Sequence, residues 1–148
     1  MRILFCLAGQ RLREQWNKAA ALIDLGAHEV TILHVVDDSL VATIDAVQHY
    51  GLPRRVGTER EARMQQALQE TGRRVIAEAL AAAHSAGVPA TGLVRRGQPS
   101  TVILQVAAEI GAEVIILGRQ HPGLEGKILG GICRFVVDQA PCTVVVLR

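Results

Sequence analysis

Five short apolar segments, separated by stretches with helical periodicity, constrain the fold of this 148-residue chain more than any other feature. Strands that alternate with helices form parallel sheets, because each parallel connection needs a crossover of a dozen or more residues. The sequence therefore predicts an α/β fold, in which an open, Rossmann-like parallel sheet carries helices on both faces. The predicted strands span about residues 2–7, 29–35, 91–95, 114–118 and 143–147.

The segments between the strands have the sequence signals of helices. Apolar residues recur at helical spacing and so form one apolar face of each helix. Trp16 falls on such a face, so we expect its side chain in the hydrophobic core rather than in a ligand-binding site. Gly72 interrupts the second helix and predicts a bend there. The fourth and fifth strands are apolar without alternation, which is typical of strands buried on both faces. The predicted helices span residues 12–25, 58–86, 99–111 and 132–139.

The amino-acid composition of the chain excludes several classes of protein. With 49% hydrophobic and 20% charged residues, the chain predicts one globular domain over residues 1–148. A net charge of +2 does not favour nucleic acid or a membrane surface as a partner. No apolar segment predicts a signal peptide or a membrane span. The three cysteines include no Cys-x-x-Cys pair, so we expect a reduced, cytoplasmic protein.

The last quarter of the chain reads as strand, glycine-containing loop, short helix and terminal strand. A glycine that ends a buried strand before a loop and a helix is a common way to hold a phosphate. This stretch resembles the universal stress protein family, whose signature there is Gly-x2-Gly-x9-Gly-Ser/Thr, then a helix, an Ala-Pro-Cys-Pro-like turn and a strand of valines. The matching residues are Gly118, Gly130, Ala140-Pro141-Cys142 and Val144-Val145-Val146, with further similarity at 31–36 and 96–99.

The resemblance implies a strand order of 3-2-1-4-5. This order places the first and fourth strands side by side, at the switch point where open α/β sheets bind ligands. The loops at residues 8–14 and 119–131 would then form the walls of a crevice. The candidate nucleotide- or anion-binding residues of this crevice are Ala8, Gly9, Gln10, Gly118, Arg119, His121, Gly123, Lys127, Gly130 and Gly131.

Several of these positions depart from the pattern of ATP-binding family members. Those members have an Asp after the first strand, where this chain has Ala8-Gly9-Gln10. Eleven residues separate Gly118 from Gly130 where the family has twelve, and the second glycine falls on His121 or Pro122. Proline lacks a backbone N–H, the group from which phosphate cradles are built. The closing Ser/Thr of the family is Gly131 here, which removes a hydroxyl donor.

The loss of these hydrogen-bond donors can be converted into an expected loss of affinity for a phosphate. A hydrogen bond to a charged group contributes roughly 1.5–3 kcal/mol, so losing two or three weakens binding by about 3–9 kcal/mol and turns micromolar affinity into millimolar or worse. Arg119 and Lys127, with Arg11 and Arg13 across the crevice, either compensate in part or are solvated surface charges. We therefore expect no required cofactor. The alternative is a sensor of adenine nucleotide, ATP or AMP, that uses a modified glycine loop.

The sequence contains no set of residues with the spacing expected of a catalytic or metal site. His34 in the second strand has no nucleophile and acid at matching spacing, so we expect a structural histidine. His121 could titrate near neutral pH, and with Cys133 it offers only two potential metal ligands. We therefore expect no enzymatic activity and no metal.

The fifth strand lies at the sheet edge in the implied order and is uncharged until Arg148. An apolar edge invites pairing with another chain. The resemblance implies a homodimer through antiparallel fifth strands, with a loop-covered edge as the alternative. The chain is thus expected to be a dimeric stress-response or regulatory protein that does not depend on ATP and acts on an unidentified protein partner. The dimer-edge residues are Thr143, Val144, Val145, Val146 and Leu147.

Overall fold

The structure is a computed structural model that describes residues 1–7, 12–37, 59–118 and 130–148. Five strands form one parallel sheet in the order β3-β2-β1-β4-β5. The α/β class and the implied strand order are confirmed. The elements are β1 (Arg2–Cys6), α1 (Leu12–Leu22), a 3-10 turn (Leu25–Ala27), β2 (Glu29–Val36), α2 (Glu59–Ser85), β3 (Ala90–Arg96), α3 (Pro99–Ile110), β4 (Val114–Gly118), α4 (Gly131–Gln139) and β5 (Thr143–Leu147).

Two apolar clusters, one on each face of the sheet, enclose the central strands. The first cluster lies under α1 and α2 and contains Trp16, which is 5% exposed and packs against Phe5 with ring centroids 5.4 Å apart. The second lies under α3 and α4. Successive residues of β4 point alternately into the two clusters, and all five are buried. The predictions that Trp16 is core and that the fourth strand is buried on both faces are confirmed.

The bounds of α3 follow the local chemistry of its ends. Pro99 occupies the first turn, where its missing N–H costs no hydrogen bond. Gly111 ends the helix in the left-handed conformation, with φ of 62°. The Nη1 group of Arg2 donates to the carbonyl oxygen of Ile110 at 3.2 Å and so satisfies one of the last helix acceptors. Both predicted ends of this helix are confirmed.

One prediction about the bounds of a helix is wrong. The first helix ends at Leu22 rather than at 25, and a 3-10 turn follows because Leu25 turns inward and is only 2% exposed. Helix α2 continues through Gly72 without interruption. This glycine instead allows a close approach of the helix to the sheet, because a Cβ there would lie 3.0 Å from Cδ2 of His34 and 3.2 Å from Cγ1 of Val94.

The fifth strand is less buried than its apolar sequence predicted. Only Leu147 is buried, Val144, Val145 and Val146 are half-buried, and Thr143 is exposed. The physical reason is position: within the described part of the chain, β5 pairs with β4 alone and its other edge meets no strand. Of the described helices, none is both long and apolar enough to cross a membrane.

The packing of α2 on β3 yields a stability prediction. A Cβ on Gly92 would lie closer than 3.0 Å to Cγ2 of Ile76, an atom fixed near the helix backbone. We expect Gly92→Ala to lower the free energy of unfolding by about 1–3 kcal/mol, because the site is overpacked. Urea unfolding measures the effect as a lower midpoint with an unchanged slope.

Gly131→Ala is the matched control, since a Cβ at Gly131 meets no atom within 4 Å in the part of the chain that the structure describes. It should leave stability unchanged or raise it slightly, because alanine favours the helix. Equal unfolding midpoints for Gly92→Ala and the parent chain would contradict the close packing.

Candidate ligand crevice at the switch point

The predicted crevice would lie beyond the carboxyl ends of β1 and β4, which are neighbours in the sheet. Cys6 pairs with Leu117 in the last register position, and Gly118 follows at the end of β4. Of the residues predicted for this site, Gly118, Gly130 and Gly131 are described. Outside the described residues lie Ala8, Gly9, Gln10, Arg119, His121, Gly123 and Lys127, with Arg11 and Pro122.

Gly118 contacts the amide of Gln15, a residue in the first turn of α1. Gln15 is only 7% exposed. A Cβ on Gly118 would lie closer than 3.0 Å to the Nε2, Cδ and Oε1 atoms of that amide. A side chain at position 118 would therefore force the Gln15 amide to shift, so this glycine has a role in packing. Glycine permits this close approach because it has no side chain.

The thiol of Cys133 lies next to the peptide group of Gly118. The Sγ atom of Cys133, in the first turn of α4, donates to the carbonyl oxygen of Gly118 at 3.8 Å. The end of β4 is thus held between α1 and α4, the two helices that begin at the crevice. Burial raises the pKa of the Cys6 thiol well above its usual range, and the nearby Cys133 adds to the shift. A thiol held protonated is a poor nucleophile, so the buried Cys6 packs as a small hydrophobe.

The N-terminus of α4 offers backbone N–H groups as donors. Gly130 is the N-cap residue, and no side chain forms a capping hydrogen bond there. Gly131 is exposed, and no atom of the described residues lies within 4 Å of the place where its Cβ would be. A helix N-terminus attracts anions through its dipole and unpaired N–H groups. Of the described residues of this turn, none adds a hydroxyl, and Arg134 adds an exposed charged side chain.

His34 lies away from these groups, in β2 against α2. Burial lowers its pKa below the usual value of 6.5. Its ring adjoins Gly72 of α2, as the short distance to a Cβ there indicates. This packing agrees with the prediction of a structural histidine. Within residues 1–7, 12–37, 59–118 and 130–148, no three His, Cys, Asp or Glu side chains cluster as a metal site would require.

Gln15 was missed by the sequence analysis, although a signal for it exists. It lies three residues after Leu12 and four before Ala19, so it falls on the stripe of α1 that faces the sheet. A polar residue on such a stripe is unusual, since burying an amide is unfavourable unless it is hydrogen-bonded. The sequence does not show which atom of the sheet that side chain would contact.

Comparison with known proteins agrees with this architecture. The model of the Universal stress protein family matches residues 1–148. The chain belongs to the universal stress protein family. It is 27% identical over 140 residues to the universal stress protein YxiE of Bacillus subtilis. The alignment covers 89% of this chain and 92% of that protein. The predicted family is therefore confirmed.

Solved structures of the family share the fold. Universal stress protein UspA from Lactobacillus plantarum superposes with a TM-score of 0.76 at 18% identity, over 100% of this chain and 97% of that one. A universal stress protein family protein from Arabidopsis thaliana, solved with AMP bound, gives a TM-score of 0.66 at 16% identity, over 99% and 90% of the two chains. At these identities the likeness establishes the fold alone.

The half-buried histidine predicts a pH dependence of stability. Because the pKa of His34 is lower in the folded chain than in the unfolded chain, the unfolded state binds the proton more tightly. The stabilising contribution of neutral His34 is therefore complete above about pH 6.5 and is lost as the pH falls through the window below it. We expect His34→Asn to flatten the rise in unfolding free energy between about pH 5 and 7, measured by urea unfolding at each pH.

His84→Asn is the matched control, because His84 is exposed near the end of α2. It should leave the pH profile of the parent chain unchanged. A parent profile that does not rise across this window, or an equal slope in the His34 variant, would contradict the assignment.

Proposed function

We propose that this universal stress protein is a cytoplasmic, dimeric regulatory or protective protein that performs no turnover and does not depend on ATP. The observation that carries the proposal is the contact between Gly118 and the amide of Gln15. The glycine that opens the nucleotide loop of the family signature here serves the packing of α1 on β4. The working parts of the protein are then its dimer edge and an exposed surface that binds a protein partner.

The weak donor set of α4 supports the same conclusion. Gly131 stands where the family signature has Ser or Thr, and the N-cap, Gly130, has no side chain. Each missing charge-assisted hydrogen bond removes roughly 1.5–3 kcal/mol from the affinity for a phosphate. The residual helix dipole contributes about 0.3–1 kcal/mol for an anion at an exposed terminus, which does not replace even one such bond.

Nucleotide independence predicts a null result in thermal unfolding. Millimolar Mg-ATP, AMP or phosphate should leave the melting temperature unchanged at fixed protein concentration. A ligand at about 100 times its dissociation constant would stabilise the native state by roughly 2.7 kcal/mol, which raises the melting temperature by several degrees. Differential scanning calorimetry with and without each ligand makes the comparison.

A clear rise with ATP or AMP would support the second candidate function, an adenine-nucleotide sensor. The structure from Arabidopsis thaliana with AMP bound favours this candidate by family membership. Turnover of ATP by the chain alone would contradict both candidates and would indicate an enzyme.

The dimer is proposed from the outer edge of β5. The backbone N–H of Thr143 donates to the carbonyl oxygen of Glu113 at 3.3 Å, so this residue is hydrogen-bonded towards β4. Because backbone groups alternate along a strand, Val145 is also oriented towards β4, whereas Val144 and Val146 present their N–H and C=O groups to the outer edge. This edge carries no charged side chain before Arg148.

Exposed apolar side chains on the neighbouring helix add to this surface. Helix α4 packs in the same cluster as Val144 and Val146. It leaves Phe135 45% exposed and Val137 47% exposed. A second copy of the chain that paired with β5 would both satisfy the edge groups and cover apolar surface.

Strand pairing predicts that Val144→Pro converts the dimer into a folded monomer. Proline removes an outward N–H that only the partner strand would use, and such positions tolerate it. Sedimentation equilibrium should give twice the 15.9 kDa chain mass for the parent chain and the chain mass itself for the variant.

Val145→Pro is the matched comparison, because it removes an N–H that bonds to β4. It should lower the unfolding temperature, whereas Val144→Pro keeps the circular dichroism spectrum of the parent chain. A parent chain that sediments as a monomer at all concentrations would overturn the proposed dimer, and a dimeric Val144→Pro variant would overturn its geometry.

A further inference from the structure

We propose that a groove between α2 and the end of β3 binds a small dicarboxylic acid. The groove has a volume of about 350 Å³. This value lies near the lower end of the range for ligand pockets, which is about 300–1,000 Å³, so the groove suits a small ligand. All the residues that line it are described, and the polar ones are Gln65, Gln66, Gln69, Glu70, Arg73 and Arg96.

The groove forms where α2 extends past the end of a strand. The buried residues of this helix begin at Gly72, and no earlier residue of the helix is buried. A Cβ on Gly72 would contact Val94, and a Cβ on Gly92 would contact Ile76, so α2 runs antiparallel to β3. The strand ends at Arg96. The first turns of α2 therefore continue beyond the strand, and the helix flank and the strand end form two walls.

Each wall of the groove contributes one guanidinium group. Arg73 follows Gly72 in α2. Arg96 lies two residues after Val94, so its side chain is on the face of the sheet that α2 covers. A guanidinium binds a carboxylate through paired N–H donors. Arg96 also interacts with another group of the chain, and its five donors leave others for a ligand.

The rest of the polar lining is mostly uncharged. Gln65, Gln66 and Gln69 share one flank of α2 at helical spacing, and the first and third of these are half-buried. Carboxamides donate hydrogen bonds to carboxylate oxygens without adding charge. Two guanidiniums against the single carboxylate of Glu70 leave the lining with a net positive charge. A ligand with two separated carboxylates can place one at each arginine and keep both away from Glu70.

The test is an NMR titration of the isotope-labelled chain with sodium succinate at constant ionic strength. Both arginines are exposed, so solvent and salt weaken the charge contacts, and we expect a dissociation constant in the millimolar range. The side-chain amide signals of Gln65 and Gln69 should shift and reach saturation. Succinamide, which has a similar size but no charge, should cause no saturable shift.

Substitutions separate the groove from general surface charge. Arg73→Gln and Arg96→Gln should each weaken succinate binding about two- to fivefold, the range expected for the loss of one exposed charge pair. Arg74→Gln is the matched control, because Arg74 is the exposed neighbour of Arg73 and does not line the groove. Glu70→Gln should tighten binding, because it removes a negative charge from the lining. Since all four side chains are exposed, each variant should keep the circular dichroism spectrum of the parent chain.

Several results would overturn this site. They are the absence of a saturable shift with succinate, an equal shift with succinamide, and equal weakening by Arg73→Gln and Arg74→Gln. Weaker binding by Glu70→Gln would also overturn it, because Glu70 would then contribute to binding instead of opposing an anion.

A carboxylate in the groove has two chemical sources, a free acid and a glutamate side chain of a protein partner. Titration with the capped tripeptide acetyl-Ala-Glu-Ala-amide distinguishes them. Tighter binding of succinate than of the tripeptide supports the free acid, and the reverse order would overturn it in favour of a partner side chain. Because β3 lies at the opposite edge of the sheet from β5, failure of this site would leave the proposed function standing.

Discussion

The burial of β4 between two layers of helices is the constraint on which the rest of the structure depends. All five residues of this strand are buried, and its side chains alternate between the two apolar clusters. A strand buried on both faces has no exposed side chain with which to bind anything along its length. Function at the centre of the sheet is therefore confined to the point where the strand ends, at Gly118, and to the helices α1 and α4 that begin there.

The sequence predicts the layers of this fold well, because they follow from hydrophobic periodicity and from residues that begin or end helices. Pro99 and Gly111 specify the ends of α3 through backbone geometry alone. The errors arise where tertiary contacts override local preference. The first helix was expected to end at residue 25, yet it ends at Leu22, because Leu25 is buried in a 3-10 turn. The fifth strand has the composition of a central strand, and only its position at the edge leaves its valines half-exposed.

The candidate site is less predictable from sequence than the fold. The family signature could be compared residue by residue along the loop, and that comparison identified absent donors such as the hydroxyl at Gly131. It could not identify Gln15, because the amide contacts Gly118 from another helix, more than a hundred residues away in the chain. Amphipathic spacing places Gln15 on the buried stripe of α1, but the register of α1 against β4 depends on packing throughout the first cluster.

A glycine that matches a ligand-binding signature therefore has two possible physical explanations, and they make different demands on the neighbours. A phosphate cradle requires backbone N–H groups directed at the ligand, together with room for it. A packing glycine requires only that another side chain lie where its Cβ would be. Gly118 meets the second requirement through Gln15, and Gly131 offers its backbone N–H but no side-chain donor. The fold alone does not determine function, and the contact between α1 and β4 gives Gly118 a role in packing that needs no ligand.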